Sequence, residues 1–253
     1  MAIVKPVLAA NWKMNKGPAA TAEFFADFLA RHQPADDRTL VFFPPALSFA
    51  AAREATAGRP DIRLGVQNIH WERSGAFTGE ISAPMAAEAG AEFVLVGHSE
   101  RRHLFGETSE ETARKVAAAL AAGLVPVLCV GETLDERRAG RAEATVREQL
   151  DAVLGTYPAD RTDSLVIAYE PVWAIGTGET ATPQDAAAMH AAIRAQLAEA
   201  FGAERAAEVP VLYGGSVKPD NVAELLAAAN VDGVLVGGAS LDPSGHAAIC
   251  APG

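Results

Sequence analysis

Eight times along the chain, a short apolar run suited to a buried strand is followed by a segment with helical periodicity. The runs fall at 7–10, 40–43, 64–66, 93–96, 125–130, 165–169, 211–213 and 234–236. Eight β-then-α units with short connections favour a parallel sheet closed on itself, so the expected fold class is α/β, a (β/α)8 barrel. An open doubly wound sheet would normally carry a glycine-rich turn after its first strand, and here that turn is Asn11-Trp12-Lys13. No linker, composition break or low-complexity segment interrupts residues 1–253, so a single domain is expected.

The helical segments have readable ends and faces. Phe24, Phe25, Phe28 and Leu29 mark one face of the first. Thr108 with Glu111 forms a capping box opening a helix that Gly123 closes. Thr133 with Glu136 repeats the signature, Gly140 interrupts, and Val146, Leu150, Val153 and Leu154 resume the apolar face. Thr182-Pro183 supplies a cap and a first-turn proline before Met189, Ile193, Leu197 and Phe201, spaced four apart. Val222, Leu225, Leu226 and Ala229 mark the seventh helix.

Composition narrows the partners. The net charge of −11 argues against nucleic acid or an anionic membrane, and any anionic ligand must be held by local donors against the overall field. No apolar run reaches membrane-spanning length, and the N-terminal residues lack a signal-peptide core. Cys129 and Cys250 have neither metal-site nor disulfide-framework spacing. Both are expected to be free buried thiols, and the location expected is cytoplasmic.

Chemistry in such barrels gathers where the strands end. The sixth strand ends at Glu170, and Pro171 stops the sheet because it has no N–H for the ladder. The loop beyond is apolar where loops are usually polar: Val172, Trp173, Ala174 and Ile175, then Gly176, Thr177 and Gly178. An apolar loop with flexible ends reads as a lid that closes and expels water, with Pro171 at its start. A carboxylate beneath it is expected to sit in a dry site with its pKa pushed upward, as a general base requires. The ordinary alternative is a surface glutamate before a turn, and the four apolar loop residues weigh against it.

Lys13 puts a cation at the mouth, directly after the first strand. His98 follows the fourth strand and precedes helix-like sequence, so the positive end of a helix is expected to keep its ring neutral and able to donate to a carbonyl. A structural histidine bonded to backbone is the plainer reading of that residue taken alone. Gly214-Gly215-Ser216 and Gly237-Gly238 follow the seventh and eighth strands, the usual phosphate site of this architecture. One Gly-Gly is usually just a turn; two at these places point to a cradle. No residues have metal-ligand spacing and no nucleotide fingerprint occurs. The set suits proton transfer beside a carbonyl on a small phosphorylated substrate, with Lys13 and His98 stabilising charge on oxygen.

The chain closely resembles triosephosphate isomerases, through stretches that span nearly its whole length in the family's order. They include Ala10-Asn11-Trp12-Lys13-Met14-Asn15, Gly75-Ala76-Phe77-Thr78-Gly79-Glu80, Val96-Gly97-His98-Ser99-Glu100-Arg101-Arg102, Cys129-Val130-Gly131-Glu132, Tyr169-Glu170-Pro171-Val172-Trp173-Ala174, Tyr213-Gly214-Gly215-Ser216 and Val236-Gly237-Gly238-Ala239-Ser240. The family's glutamate base beside a neutral histidine is a well-known pairing. The resemblance implies a TIM barrel that interconverts dihydroxyacetone phosphate and D-glyceraldehyde 3-phosphate through an enediolate, in glycolysis and gluconeogenesis. It implies Glu170 as base, His98 as electrophile, Lys13 and Asn11 on the substrate, and Glu100 supporting Lys13. Gly176, Ser216, Gly237 and Gly238 would bind phosphate, and Tyr213 would hold the closed lid. No cofactor and no metal is implied.

The resemblance also implies a homodimer. The loop at 68–80 carries Ile69, Trp71 and Phe77, expected to be an exposed apolar patch on a monomer. Phe77, Thr78 and Glu80 would meet a second subunit, with Thr78 reaching the other copy's Asn11 and His98. Two departures stand out: Glu179 where many family members carry lysine, and residues 69–74, which match poorly. Two other functions fit parts of the pattern. A Schiff-base aldolase would use Lys13 as nucleophile, and a non-catalytic phosphate-binding barrel would lack the base or the lid.

Overall fold

A computed structural model of the chain describes residues 3–174 and 181–251. The strands are β1 (Val7–Asn11), β2 (Thr39–Phe43), β3 (Ile62–Val66), β4 (Phe93–Val96), β5 (Val125–Val130), β6 (Val166–Tyr169), β7 (Val211–Tyr213) and β8 (Gly233–Val236). Each pairs in parallel with its sequence neighbour, and β8 returns to β1, closing a (β/α)8 barrel. The helices are α1 (Pro18–Arg31), α2 (Phe49–Ala55), α3 (Ala83–Ala89), α4 (Ser99–Leu104), α5 (Ser109–Ala121), α6 (Leu134–Arg138), α7 (Ala142–Leu154), α8 (Pro183–Phe201), α9 (Ala203–Glu208), α10 (Val222–Ala227) and α11 (Pro243–Cys250). Among the described residues no helix is long and apolar enough to cross a membrane.

The two-residue period of a strand sorts the core into two layers. Val7, Ala9, Val41, Phe43, Phe93, Leu95, Val127, Cys129, Val166, Ala168, Leu212 and Leu235 fill the barrel interior. Their neighbours, among them Leu8, Ala10, Leu40, Phe42, Val94, Val96 and Ile167, face the helices. Both faces are apolar, which is why the strands read as unbroken runs. Near the strand starts the Arg63 guanidinium lies 4.5 Å from the Phe93 ring centroid, and its Nε donates to Glu92 at 2.9 Å.

The predicted capping boxes form. Thr108 Oγ1 accepts from the Glu111 N–H at 3.1 Å while Glu111 Oε2 accepts from the Thr108 N–H at 2.9 Å. Thr133 with Glu136 does the same for α6; Thr182 caps α8 as expected and also forms an unpredicted box with Asp185. Gly140, at φ +68°, ends the turn between α6 and α7.

Three expectations are corrected. β3 starts at Ile62, earlier than 64, because Arg63 breaks the apolar run yet still pairs in register with Val41. Leu165 is extended but lies before the first residue of β6. Ile69 is fully buried in the chain's own core and adds nothing to an exposed patch. The loop after β3 tucks Ile69 inward, stacks His70 on Trp71 and Phe77 at centroid distances of 4.2 and 4.0 Å, and leaves Phe77 42% exposed.

Candidate active site

Strand parity delivers the central carboxylate. Val166 and Ala168 point into the barrel, so Glu170, two residues further, points into its mouth. It is buried, and the neighbouring strands make room for it. A Cβ on Gly214 would lie 2.9 Å from Glu170 Cγ, and one on Gly131 only 1.8 Å from the Glu170 carbonyl oxygen. Glycine at both positions is a condition for this side chain to sit here.

Glu170 faces His98. Glu170 Oε1 is 3.0 Å from His98 Nε2, and Oε2 accepts from the Ser99 N–H at 2.9 Å. His98 caps α4, its Nδ1 accepting from the Glu100 N–H at 3.3 Å. A ring nitrogen that accepts a backbone N–H carries no proton, so Nε2 holds the proton and donates it to the carboxylate.

The expected electrostatics are corrected by this contact. Burial pushes the Glu170 carboxyl upward, but His98, the Ser99 N–H and Lys13 together outweigh burial and leave its pKa below the usual value. Burial likewise works against a charged His98, and the opposed Glu170 carboxylate outweighs it and raises the ring's pKa. The helix N-terminus does meet the ring as expected, and the carboxylate is the stronger neighbour. The dry site therefore holds Glu170 as an anion rather than loosening its proton.

Lys13 and Asn11 stand on the same side. Asn11 continues the inward parity of Val7 and Ala9, and its Oδ1 accepts from the Lys13 N–H at 3.0 Å. Lys13 has φ +52°, its carbonyl accepts from Gln67 Nε2 at 2.9 Å, and its Nζ lies 2.7 Å from Glu100 Oε1. The Lys13–Glu100 contact expected from the resemblance is present.

A cavity of roughly 280 Å³ is lined by Asn11, Lys13, His98, Glu170, Ser216, Gly237 and Gly238, together with Gly214, Gly215, Val217, Lys218, Leu235 and Ala239. That volume suits a ligand of only a few heavy atoms. Ser216 leaves β7, and Gly237 and Gly238 open a short 3₁₀ turn after β8. The N–H groups of Gly215, Ser216, Gly237 and Gly238 have no backbone acceptor among the described residues. They are donors free to meet an anion. Lys218, not singled out in the sequence, adds a cation at this end of the cavity.

Part of the apolar loop is described. Val172–Ala174 forms a 3₁₀ turn, with Ala174 buried and Trp173 half-buried. Trp173 Nε1 donates to Glu132 Oε1 at 2.8 Å, and Tyr169 Oη donates to the same oxygen at 3.0 Å. Glu132 is buried, and its partners lie 41 and 37 residues away, so no local spacing marks it. The predicted lid residues Ile175, Gly176, Thr177 and Gly178, and Glu179 beyond them, lie outside the described residues. Tyr213 is buried, which raises its pKa to about 12, and its hydroxyl lies where a side chain on Gly215 would be. Among the described residues no three His, Cys, Asp or Glu side chains converge to hold a metal ion.

Known proteins match nearly the whole chain. A sequence model of the family described as triosephosphate isomerase matches residues 6–252. The triosephosphate isomerase of Symbiobacterium thermophilum is 52% identical over 246 residues, covering 97% of this chain and 96% of that one. That of Chloroflexus aurantiacus is 52% identical over 236 residues, covering 93% and 94%. The crystal structure of triosephosphate isomerase from Bartonella henselae superposes with a TM-score of 0.87 at 39% identity, covering 98% of each chain.

Proposed function

The chain belongs to the triosephosphate isomerase family, and from that premise we propose a role for each group in its site. The protein is an isomerase that interconverts dihydroxyacetone phosphate and D-glyceraldehyde 3-phosphate. The observation that carries the assignment of roles is the Glu170–His98 contact at 3.0 Å inside a cavity that ends in unpaired backbone donors.

The phosphate sits on the N–H groups of Ser216, Gly237 and Gly238, with Gly176 as a further donor. The carbonyl oxygen then lies against Lys13, Asn11 and His98. Nε2–H of His98, which bonds Glu170 in the structure, turns its donation to this oxygen. Glu170 thereby loses a donor, and leaving the Ser99 N–H costs it the other. Stripped of both in a dry site, its basicity rises and it takes the proton from the carbon beside the carbonyl. Charge grows on oxygen, where Lys13 and His98 stabilise it, and the enediolate forms. His98 gives its Nε2 proton to the former carbonyl oxygen and takes one from the neighbouring hydroxyl, and Glu170 returning its proton to the adjacent carbon completes the isomerisation. Glu100 positions the Lys13 ammonium through its ion pair. The apolar loop from Pro171 to Gly178 serves as the lid, with Tyr213 as its support, and keeps water from the intermediate.

The test is turnover of dihydroxyacetone phosphate in deuterated water. Deuterium is expected at the carbon of the product that received the proton; a product without deuterium, formed under conditions where the base can exchange, would count against a proton-transfer route. The Schiff-base alternative is disfavoured because Lys13 Nζ is engaged by Glu100 at 2.7 Å and is not free to attack a carbonyl. We also propose a single domain, a homodimer and a cytoplasmic place in glycolysis and gluconeogenesis. The dimer is supported by large apolar side chains exposed around consecutive barrel units: Met14, Leu47, Phe77 and Met85. Thr78 and Glu80, both exposed, share the Phe77 loop.

A further inference from the structure

Gly97 joins β4 to His98, and its peptide groups are held from two sides. Its N–H donates to Glu107 Oε1 at 3.0 Å, and its carbonyl accepts from Arg102 Nε at 2.8 Å. The same guanidinium donates through Nη2 to the Cys129 carbonyl at 3.2 Å and through Nη1 to Ser109 Oγ at 3.2 Å. Val96 pairs with Leu128 at the last rung of the β4–β5 ladder, so Gly97 and Cys129 occupy the next, unpaired rung. Arg102 fills that rung. Among the described residues it makes no ion pair, whereas Arg101 beside it is bound to Glu107. A guanidinium bonded only to neutral acceptors near the catalytic mouth, with Glu107 and Glu170 acting on it through space rather than in contact, is a costly arrangement for structure alone.

We propose that Arg102 is a positioning residue for the isomerisation, one that sets the direction in which His98 enters the site. The Gly97 carbonyl and the His98 nitrogen share one rigid peptide plane, so fixing the carbonyl fixes where the His98 backbone starts. Gly97 needs such a clamp: at φ +72° it adopts a backbone conformation open to glycine, and a Cβ there would lie 2.7 Å from Arg102 Nη2. The planar fork of arginine spans both carbonyls and the hydroxyl at once, which a lysine ammonium cannot do. The inference rests on His98 being the group that donates to the substrate oxygen.

The experiment compares Arg102→Gln, Arg102→Lys and His98→Asn at a temperature where circular dichroism shows each folded. It reads kcat, KM, the affinity for inorganic phosphate and the ¹⁵N resonances of the His98 ring. Arg102→Gln is expected to lower kcat roughly 10- to 100-fold, the scale of a small misplacement of a catalytic group. The His98 resonances should move, while phosphate affinity stays within about twofold because its cradle lies on β7 and β8. Arg102→Lys should recover part of kcat. If Arg102→Gln does not fold, Arg102→Lys carries the same readouts, with a smaller loss expected. Normal turnover in His98→Asn would remove the underlying reading of His98. A crippled His98→Asn beside a fully active Arg102 variant would overturn the inference alone, as would a loss shared equally by phosphate affinity with the His98 resonances unmoved.

Discussion

Glu170 is tied down by two donors, the Ser99 N–H and His98 Nε2–H, before any substrate arrives. Its length is tuned to reach them and then to reach carbon. Glu170→Asp withdraws the carboxylate by about one methylene, and turnover should fall at least about 100-fold while inorganic phosphate binds within about twofold of normal. Steady-state kinetics with phosphate as competitive inhibitor checks this, and unchanged turnover would remove Glu170 from the chemistry. Glu170, His98 and Lys13 were legible because each follows closely on the end of a strand, which is visible in a local run of residues, whereas Asn11 was marked only by the family resemblance. The protonation pattern was not legible, because it depends on a 3.0 Å contact between residues from different strands. Arg102 and Glu132 were equally hidden: the Cys129 carbonyl that Arg102 meets, and the Tyr169 hydroxyl and Trp173 indole N–H that Glu132 meets, come from distant parts of the chain.

Strands and capping boxes were read almost intact, since short-range apolar runs and Thr-x-x-Glu spacing specify them without tertiary help. What the pattern could not convey is which polar side chains the helices bury. His246 on α11 and His32, at the C-terminus of α1, are both buried, and Phe28 packs against each ring. Burial lowers the pKa of His246 to about 3 and that of His190 on α8 to about 4, and it lowers His32 as well. In the unfolded chain these rings titrate near 6.5. The folded protein thus favours their neutral forms. That stability is complete above pH 6.5 and drains away as pH falls toward the folded values, by up to about 1.4 kcal/mol per unit per ring. His98, raised by Glu170, works in the opposite sense. The readable quantity is therefore a difference: urea midpoints measured from pH 7 to pH 5 should fall less steeply for His246→Asn than for the parent. Equal slopes would mean that His246 is not held neutral.

Four large apolar side chains stand exposed in the first three barrel units. Met14 is 95% exposed, Leu47 87%, Met85 56% and Phe77 42%. Side chains of this size left in water favour self-association, so light scattering at micromolar concentration should give twice the 26.3 kDa chain mass. A mass of one chain would contradict the dimer, and Phe77→Asp should shift the balance toward single chains. The closed eight-stranded architecture itself was legible from repetition alone, whereas the depth of the loop after β3 was not. Ile69 turned out to be core because nothing in its neighbours' sequence says how far a loop folds back.

The floor of the barrel has one last implication. Arg63 and Phe93, with Phe43 above Gly65, cork it, and among the described residues the side chains that fill the interior above them are buried. For the proposed reaction the mouth is then the doorway for both substrate and product, so a spent molecule must clear the threshold before a fresh one can come in. Traffic through this enzyme is single-file and two-way.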